Sequence, residues 1–498
     1  MDHQFHFSYT CVIHFREYLG LMTDLTKLSA QTAVNLLRRR EVSPLEMIDA
    51  AVSRIEATDG SLNALPTLCI DRARDHAKRI IENQRSAVED SLSWLGGLPI
   101  AIKDLNDVAG VKTTYGSPLF ADHIPNRSDV MVQTLEANGA IVIGKANAPE
   151  FGHGANTFNE VFGKTRNPWN TGMTCGGSSG GSAVAVATGQ TWLATGSDLG
   201  CSLRTPAAFC SVVGLRPSPG RVARGPTRLP FDNLWVQGPM ARSVADTALM
   251  LDAMVGTHPG DPISIPAPKK SFLQSVEYPT APKRVAYSTN LNGLTPVDSE
   301  VAEICTKAVQ RFSELGAVVE EACPDFGDAR DIFHVLRANQ FVGELAPIIE
   351  ADRDKVRPEV VWNLEEGYKL TIEQLAETER ARGRLYARVA EFFEVYDLLV
   401  TPATVVPPFD VDIRAIDEVA GHKFENYFDW YTIAYAITVT SLPALSLPCG
   451  FTGNGLPIGL QVVGPPRGEA ALLGASTLFE EVMGVVGQLP IDPRPGVS

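Results

Sequence analysis

The sequence contains no CxxC pair, no HExxH and no complete GxxxxGK[ST], and each absence removes a class of chemistry. Its eight cysteines (11, 69, 175, 201, 210, 305, 323 and 449) show no paired spacing. That spacing argues for reduced thiols rather than a disulfide scaffold. The nine histidines are scattered, so neither a metal nor another cofactor is expected. No apolar run is long enough to cross a membrane. The first residues lack the charged start and apolar core of a secretory signal, and a cytoplasmic protein is expected. Basic charge is also scarce, with 43 Lys and Arg against 58 Asp and Glu and a net charge of −15. Nucleic acid is therefore not an expected partner, because phosphate contact needs clustered Lys and Arg. The one basic cluster, Arg38, Arg39 and Arg40, reads as a solvated helix end.

What remains is an ordinary globular composition. The 498 residues are 44% hydrophobic and 20% charged, enough chain to bury a core without disulfides or metals. Residues 1–21, "MDHQFHFSYTCVIHFREYLGL", look unlike the rest and are expected to be an N-terminal extension, with residues 22–498 as the domain proper. Ser29 caps a predicted helix through about Arg40. "SPLE" at Ser43–Glu46 is a capping box with proline at the first helical position. Short apolar runs follow: "LPIAI" ending at Ile102, "AIVIG" from Ala140, "RVAYS" from Arg284, "YDLLVTP" from Tyr396, "PALSLPCGF" from Pro443 and "IGLQVVG" from Ile458. Helical patterns separate several of them, so an α/β sheet buried on both faces is expected. Pro259–Pro282 reads as a surface linker. Residues 325–440 read as a helical cap over the sheet.

The stretch from Cys175 to Cys210, "CGGSSGGSAVAVATGQTWLATGSDLGCSLRTPAAFC", carries the chemical signal. A flexible linker would not be flanked by the buried-type runs "AVAVATG" and "SVVGLRP". A phosphate loop fails, because no lysine follows these glycines and the upstream Gly163-Lys164-Thr165 has Phe158 where the motif needs glycine. "GGSSG" matches the nucleophile elbow G-x-S-x-G and would make Ser178 the nucleophile. That reading needs a histidine, for which His258, His334 and His422 stand in no distinctive context. It also needs a strand running into the turn, and "RNPWNTGMTC" is a poor one. In "GSDLGCSLR", by contrast, a strand enters a tight turn whose consecutive N–H groups can converge on an oxyanion, at about 2.7–4 kcal/mol per donor in a transition state. Ser202 stands directly after these amides. A helix-capping hydroxyl is its alternative role.

A serine without histidine can use lysine as base. Lysine titrates near 10.4, so action near neutrality needs a depression of about 3 units, within reach of full burial. Lys103, closing the apolar strand of "GGLPIAIKDLNDVAG", is the lysine placed for that. A solvated lysine at the strand end is the alternative.

Three segments, "GGLPIAIKDLNDVAGVKTTYGS", "GGSSGGSAVAVATG" and "GSDLGCSLRTPAAFCSVVGLRPSPGRV", resemble in sequence and order the amidase signature family of Ser-cisSer-Lys hydrolases. "PALSLPCGFTGNGLPIGLQVVGP" resembles the family's closing segment, and the likeness runs from about residue 25 to 485. The resemblance implies a single large α/β/α domain with a twisted mixed β-sheet covered by helices on both faces. It implies Ser202 as nucleophile, Ser178 as the serine preceded by a cis peptide bond, and Lys103 as base. It further implies an oxyanion hole from the N–H groups of Leu199, Gly200, Cys201 and Ser202, with Asp198 and Arg204 bracing the turn. Cys201 departs from the family's usual glycine. The N–H survives, but a positive φ there would strain a cysteine.

The partner implied is a small-molecule amide, anilide or carbamate, with no membrane, and a homodimer is compatible with the reading. The competing activity is that of the glutamine-hydrolysing A subunit of a glutamyl-tRNA amidotransferase. Against it, "ARGPTRLPFDNLWVQGPMARSV" departs from the tyrosine-rich turn of that protein. The aromatic stretches Tyr427–Tyr435 and Val360–Tyr368 either line an apolar pocket or pack in the core.

Overall fold

The apolar runs become strands of one eleven-stranded sheet, in a computed structural model that describes residues 24–82 and 91–496. The extension expected at residues 1–21 lies outside the described residues. The strands are β1 (Thr67–Leu68), β2 (Pro99–Lys103), β3 (Ile141–Ala146), β4 (Leu193–Asp198), β5 (Val213–Arg216), β6 (Val236–Ala241), β7 (Arg284–Tyr287), β8 (Val318–Glu321), β9 (Leu398–Pro402), β10 (Ala444–Phe451) and β11 (Pro457–Val463). Their spatial order is β1-β3-β2-β4-β6-β5-β10-β11-β9-β7-β8. The sheet is mixed. Strand β2 runs parallel to both neighbours, β7 runs parallel to β8 and β9, and the central ladder from β4 to β9 is antiparallel.

Successive side chains of a strand point to opposite faces, and here that alternation feeds two cores. In β9, Leu398 and Val400 enter one core and Leu399 the other; in β7, Val285 and Tyr287 part from Ala286 in the same way. The first core is covered by α1 (Ala30–Arg38) and α2 (Pro44–Thr58), through residues such as Val34, Leu37, Ile48 and Ile55. Ser29 caps α1 and the Ser43–Glu46 capping box starts α2. Beyond them the chain forms α3 (Gly180–Ala187), α4 (Arg204–Cys210) and α5 (Phe272–Glu277). The second core is covered by α6 (Ala329–Ile349), α8 (Ile372–Phe392) and α9 (Thr432–Thr438), α7 being Pro358–Tyr368. A third, smaller cluster joins α6 to α7 through Phe341, Leu345, Val360 and Leu364.

Three details differ from expectation. Pro259–Pro282 is more than a surface linker: Ser271 and Gln274 form a capping box, α5 follows, and Phe272 is buried. The proline-rich flanks hide that signal, while the Asp252 carboxylate accepts from the N–H groups of Phe272 and Leu273 at 2.8 and 2.9 Å. Arg38 does not stay solvated, donating to the carbonyls of Ser91 and Trp94 at 2.9 and 2.6 Å. The stretch before the serines holds a short hairpin, Arg166–Asn167 with Asn170–Thr174, outside the main sheet. Among the described residues no helix is long and apolar enough to cross a membrane.

Candidate active site

Strand β2 lies between β3 and β4 and is buried along its whole length, so its last side chain, Lys103, enters the protein with no exposure to solvent. Its Nζ meets three hydroxyls: Ser178 Oγ at 2.7 Å, Ser179 Oγ at 2.9 Å and Ser197 Oγ at 3.0 Å. Ser178 and Ser179 come from the turn before α3, and Ser197 from β4. Ser179 Oγ accepts from the Ser197 N–H at 3.2 Å and donates to the Ser197 carbonyl at 3.3 Å. Its single proton is thereby spent, so Lys103 is the donor to it. A neutral amine has two N–H groups and one lone pair. Three hydroxyls therefore match its full capacity: Ser179 and one of Ser178 and Ser197 accept from it, and the remaining hydroxyl donates to it. The close fit depends on Gly196, where a Cβ would stand 2.9 Å from Ser179 Oγ. Burial pulls the Lys103 ammonium down to about 7, opposed by the Asp198 carboxylate. Desolvation wins because a charge without bulk water costs more than one distant carboxylate returns.

The Gly177–Ser178 peptide bond is cis. The Ser202 carbonyl accepts from the Ser179 N–H at 3.2 Å, tying the two serine turns together. Among the described residues Ser202 Oγ makes no hydrogen bond, and the N–H groups of Leu199, Gly200, Cys201 and Ser202 have no acceptor. Four adjacent free donors beside a hydroxyl are unusual in an interior where backbone N–H groups are almost always paired. They border a cavity of about 500 Å³.

The turn is held from behind. Arg204 grips Asp198 through Nη2–Oδ1 at 2.8 Å and Nε–Oδ2 at 3.0 Å. The same guanidinium reaches the Gly200 carbonyl at 2.7 Å, Thr438 Oγ1 at 2.9 Å, and the Ala434 carbonyl and Gln461 Oε1 at 2.6 Å each. Burial pushes the Asp198 carboxyl up, but Arg204 and Arg216 outweigh it and hold the group below the usual carboxylate range. Cys201 does not have a positive φ, so the thiol imposes no left-handed strain. Burial pushes it up to about 12, and Asp198 adds to the rise, so it stays a protonated thiol near neutrality.

The three histidines considered for an elbow mechanism do not reach this place. His334 bonds Asp429 at 2.9 Å, the His258 ring accepts from the Gly260 N–H, and His422 sits in a separate hairpin. The histidines that do line the cavity are His123 and His153. Burial, with Arg337 and Arg357 nearby, holds His153 well below the ordinary imidazole range, so it is uncharged. Among the described residues no three His, Cys, Asp or Glu side chains converge as a metal site.

The amidase family matches residues 46–473. The acylamidase of Rhodococcus erythropolis is 34% identical over 470 residues, covering 94% of this chain and 97% of that protein. The chain belongs to the amidase signature family. Another relative, the A subunit of the glutamyl-tRNA(Gln) amidotransferase of Moorella thermoacetica, is 35% identical over 484 residues, covering 92% of this chain and 97% of its own length. The crystal structure of a bacterial aryl acylamidase of the amidase signature family superposes with a TM-score of 0.84 at 26% identity, covering 93% of this chain and 98% of that one. Membership makes amide C–N hydrolysis the chemistry of this amidase fold.

Sequence reasoning missed two hydroxyls of the lysine cage, Ser179 and Ser197, and most of the cavity wall. In the amidase the aromatic wall comes from Tyr115, Phe120, Phe151, Trp235, Phe333, Phe341 and Tyr431. Of the aromatic stretches singled out, only Tyr431 lines the cavity, while Trp430 and Tyr435 are core residues. Tyr115 and Phe151 both sit at positive φ, 52° and 49°, a costly backbone for aromatic residues. The Phe151 N–H donates to the Tyr115 carbonyl at 2.7 Å, locking one strained residue to the other.

Proposed function

We propose that this chain hydrolyses small amides, anilides or carbamates through an acyl-Ser202 intermediate, in the cytoplasm and without a cofactor. The observation that carries the reading is the Lys103 cage: a fully buried amine whose Nζ lies 2.7 Å from Ser178 Oγ, pulled down to about 7 by desolvation. Neutral Lys103 takes the Ser178 proton, and Ser178 takes that of Ser202 as Ser202 Oγ attacks the amide carbonyl. The unpartnered N–H groups from Leu199 to Ser202 receive the oxyanion. The protons then return along the same path to the leaving amine, and water attacks the acyl-enzyme to regenerate Ser202. Ser202 Oγ closes on Ser178 when substrate fills the cavity, since catalytic hydrogen bonds commonly tighten only in the Michaelis complex. Asp198 and Arg204 position the turn and touch no substrate.

The likeness to the glutamyl-tRNA(Gln) amidotransferase protein supports a second reading, glutamine hydrolysis inside a complex. The aromatic wall of the cavity favours the first, because apolar rings recognise aryl or acyl groups rather than the polar side chain of glutamine. The test is fluorophosphonate labelling with mapping of the modified peptide, followed by assay on anilides and on glutamine. Labelling at Ser202 with anilide turnover by the chain alone is the expected result. Labelling at Ser178 overturns the assignment of the nucleophile, and turnover of glutamine alone selects the second reading.

A further inference from the structure

The cavity wall contains a buried cation that the hydrolytic chemistry does not use. Arg337, on α6, is 4% exposed and lines the cavity. The other buried arginines around the site face carboxylates: Arg204 and Arg216 face Asp198, Arg224 faces Asp232 at 3.5 Å, and Arg357 faces Glu150 at 3.5 Å. Among the described residues no carboxylate pairs with Arg337. Its hydrogen bonds go to neutral groups, the Asn363 side-chain carbonyl and the Tyr427 hydroxyl, the latter at 2.6 Å. The rings of Phe428 and Phe341 lie 4.4 and 4.7 Å from the guanidinium carbon. Cation–π contacts of this kind offset part of the cost of burying a charge, not all of it. A guanidinium has five N–H groups, and the two bonds leave others for a ligand.

The position of Arg337 sets the geometry of that ligand. Phe333, Arg337 and Phe341 follow at four-residue intervals on α6 and form one stripe along the cavity. The Phe333 ring reaches the oxyanion turn, its Cζ 3.4 Å from where a Cβ on Gly200 would stand. Arg337 begins one turn further along, about 6 Å at 1.5 Å per residue. His153 packs against Phe341 with centroids 4.0 Å apart and the rings tilted by 34°, and it is held uncharged by burial, so it adds no second cation. Two further charged side chains line this end of the cavity: the Glu344 carboxylate, approached by Thr227 Oγ1 at 3.5 Å, and Arg228, which donates to the Glu344 backbone carbonyl at 3.2 Å.

We propose that Arg337 anchors a carboxylate on the substrate, so that the amides taken by this cavity are anionic, with the charge about one helical turn from the scissile carbonyl. The substrate class is an aryl or acyl amide bearing a terminal carboxylate, on the acyl or on the amine side. The aromatic stripe holds the apolar middle, and the guanidinium takes the carboxylate by charge-assisted hydrogen bonds. This rests on the amidase reading for the identity of the site, but its test needs no turnover.

Ser202→Ala protein is titrated calorimetrically with glutaranilic acid, which carries the carboxylate on the acyl side, and with para-acetamidophenylacetate, which carries it on the amine side. Each is compared with its methyl ester. The expected result is that at least one acid binds about 10–100-fold more tightly than its ester, the range for hydrogen bonds to a charged partner. The preferred probe identifies the side. Arg337→Gln, added to Ser202→Ala, abolishes the preference and Arg337→Lys restores part of it. Esters that bind as tightly as the acids, acids that do not bind at all, or a preference that survives Arg337→Gln would each overturn the proposal. If Arg337→Gln does not fold, the acid-to-ester ratio in Ser202→Ala decides, together with its expected decrease on adding salt. A preserved acid preference with no labelling of Ser202 would remove the amidase reading while leaving the anion site standing.

Discussion

The two sides of the cavity are built on opposite plans. The side from β2 to α4 is made of short turns between buried strands, and its polar groups interlock: three hydroxyls around one amine, two guanidiniums around one carboxylate. The side from α6 to α9 is a helical wall where aromatic rings, one cation (Arg337) and one carboxylate (Glu344) face the cavity with few mutual bonds. The first side holds its polar groups through many mutual hydrogen bonds. The second leaves polar capacity open toward whatever enters. On the proposed mechanism, turnover is expected to depend on the first side and discrimination among amides on the second.

The largest effect belongs to the interlocked side. Lys103→Met is expected to fold and to lose about 10⁴-fold or more in kcat, the usual consequence of removing one member of a unit of this kind. Circular dichroism with an anilide assay checks it, and substantial remaining turnover would break the division between the sides. On the helical wall, Phe341→Ala is expected to lose about 10–200-fold in kcat/KM on aryl amides, the range for a lost pocket contact of 1–3 kcal/mol. Fluorophosphonate labelling of Ser202 should continue in that variant. A parallel loss of labelling would show that the wall also shapes the nucleophile.

Acidity separates the sides further. Since Lys103 must be neutral and burial brings it to about 7, kcat/KM is expected to rise about tenfold per pH unit up to that point and then level. Asp129 lines the same cavity and is pushed up to about 7 by its own burial. The profile is therefore repeated in Asp129→Asn, where the Lys103 limb should persist. The same depressed amine acts on stability. Its contribution is complete above the unfolded value near 10.4 and is lost as pH falls through about 7. Lys103→Met should accordingly gain stability over the parent chain at pH 6 and little at pH 10, read by denaturant unfolding. The smallest effect is that of Cys201→Gly. It is expected to keep activity and to lose about 1 kcal/mol of stability, the burial value of one small apolar group.

The same division explains what could be read from the sequence. Lys103, Ser178, Ser202, Asp198 and Arg204 lie in continuous motifs whose turn glycines and apolar flanks announce their setting. Ser197 adjoins Asp198 in the same motif, but its approach to Lys103 depends on β4 lying beside β2, a pairing that no local pattern declares. The stripe of Phe333, Arg337 and Phe341 reads as an ordinary core face, because helical periodicity does not distinguish a packed ring from one that borders a cavity. Tyr115 and Phe151 were hidden for another reason: positive φ at an aromatic residue runs against local preference and is imposed by tertiary contacts. The capping boxes and strand runs behaved as local signals should. The helix inside Pro259–Pro282 was masked by its flanks.

The bonds of Arg204 carry one more consequence, for the order in which the protein is made. The turn from Asp198 to Ser202 is complete early in the chain, yet the guanidinium that holds it takes acceptors from Ala434, Thr438 and Gln461. During synthesis the early motifs leave the ribosome long before those acceptors exist. A nascent chain can assemble the lysine and both serines and still lack the support that aligns the turn. On the proposed mechanism, hydrolytic competence is expected only once these acceptors have been made, and a product terminated before residue 434 is expected to be inert.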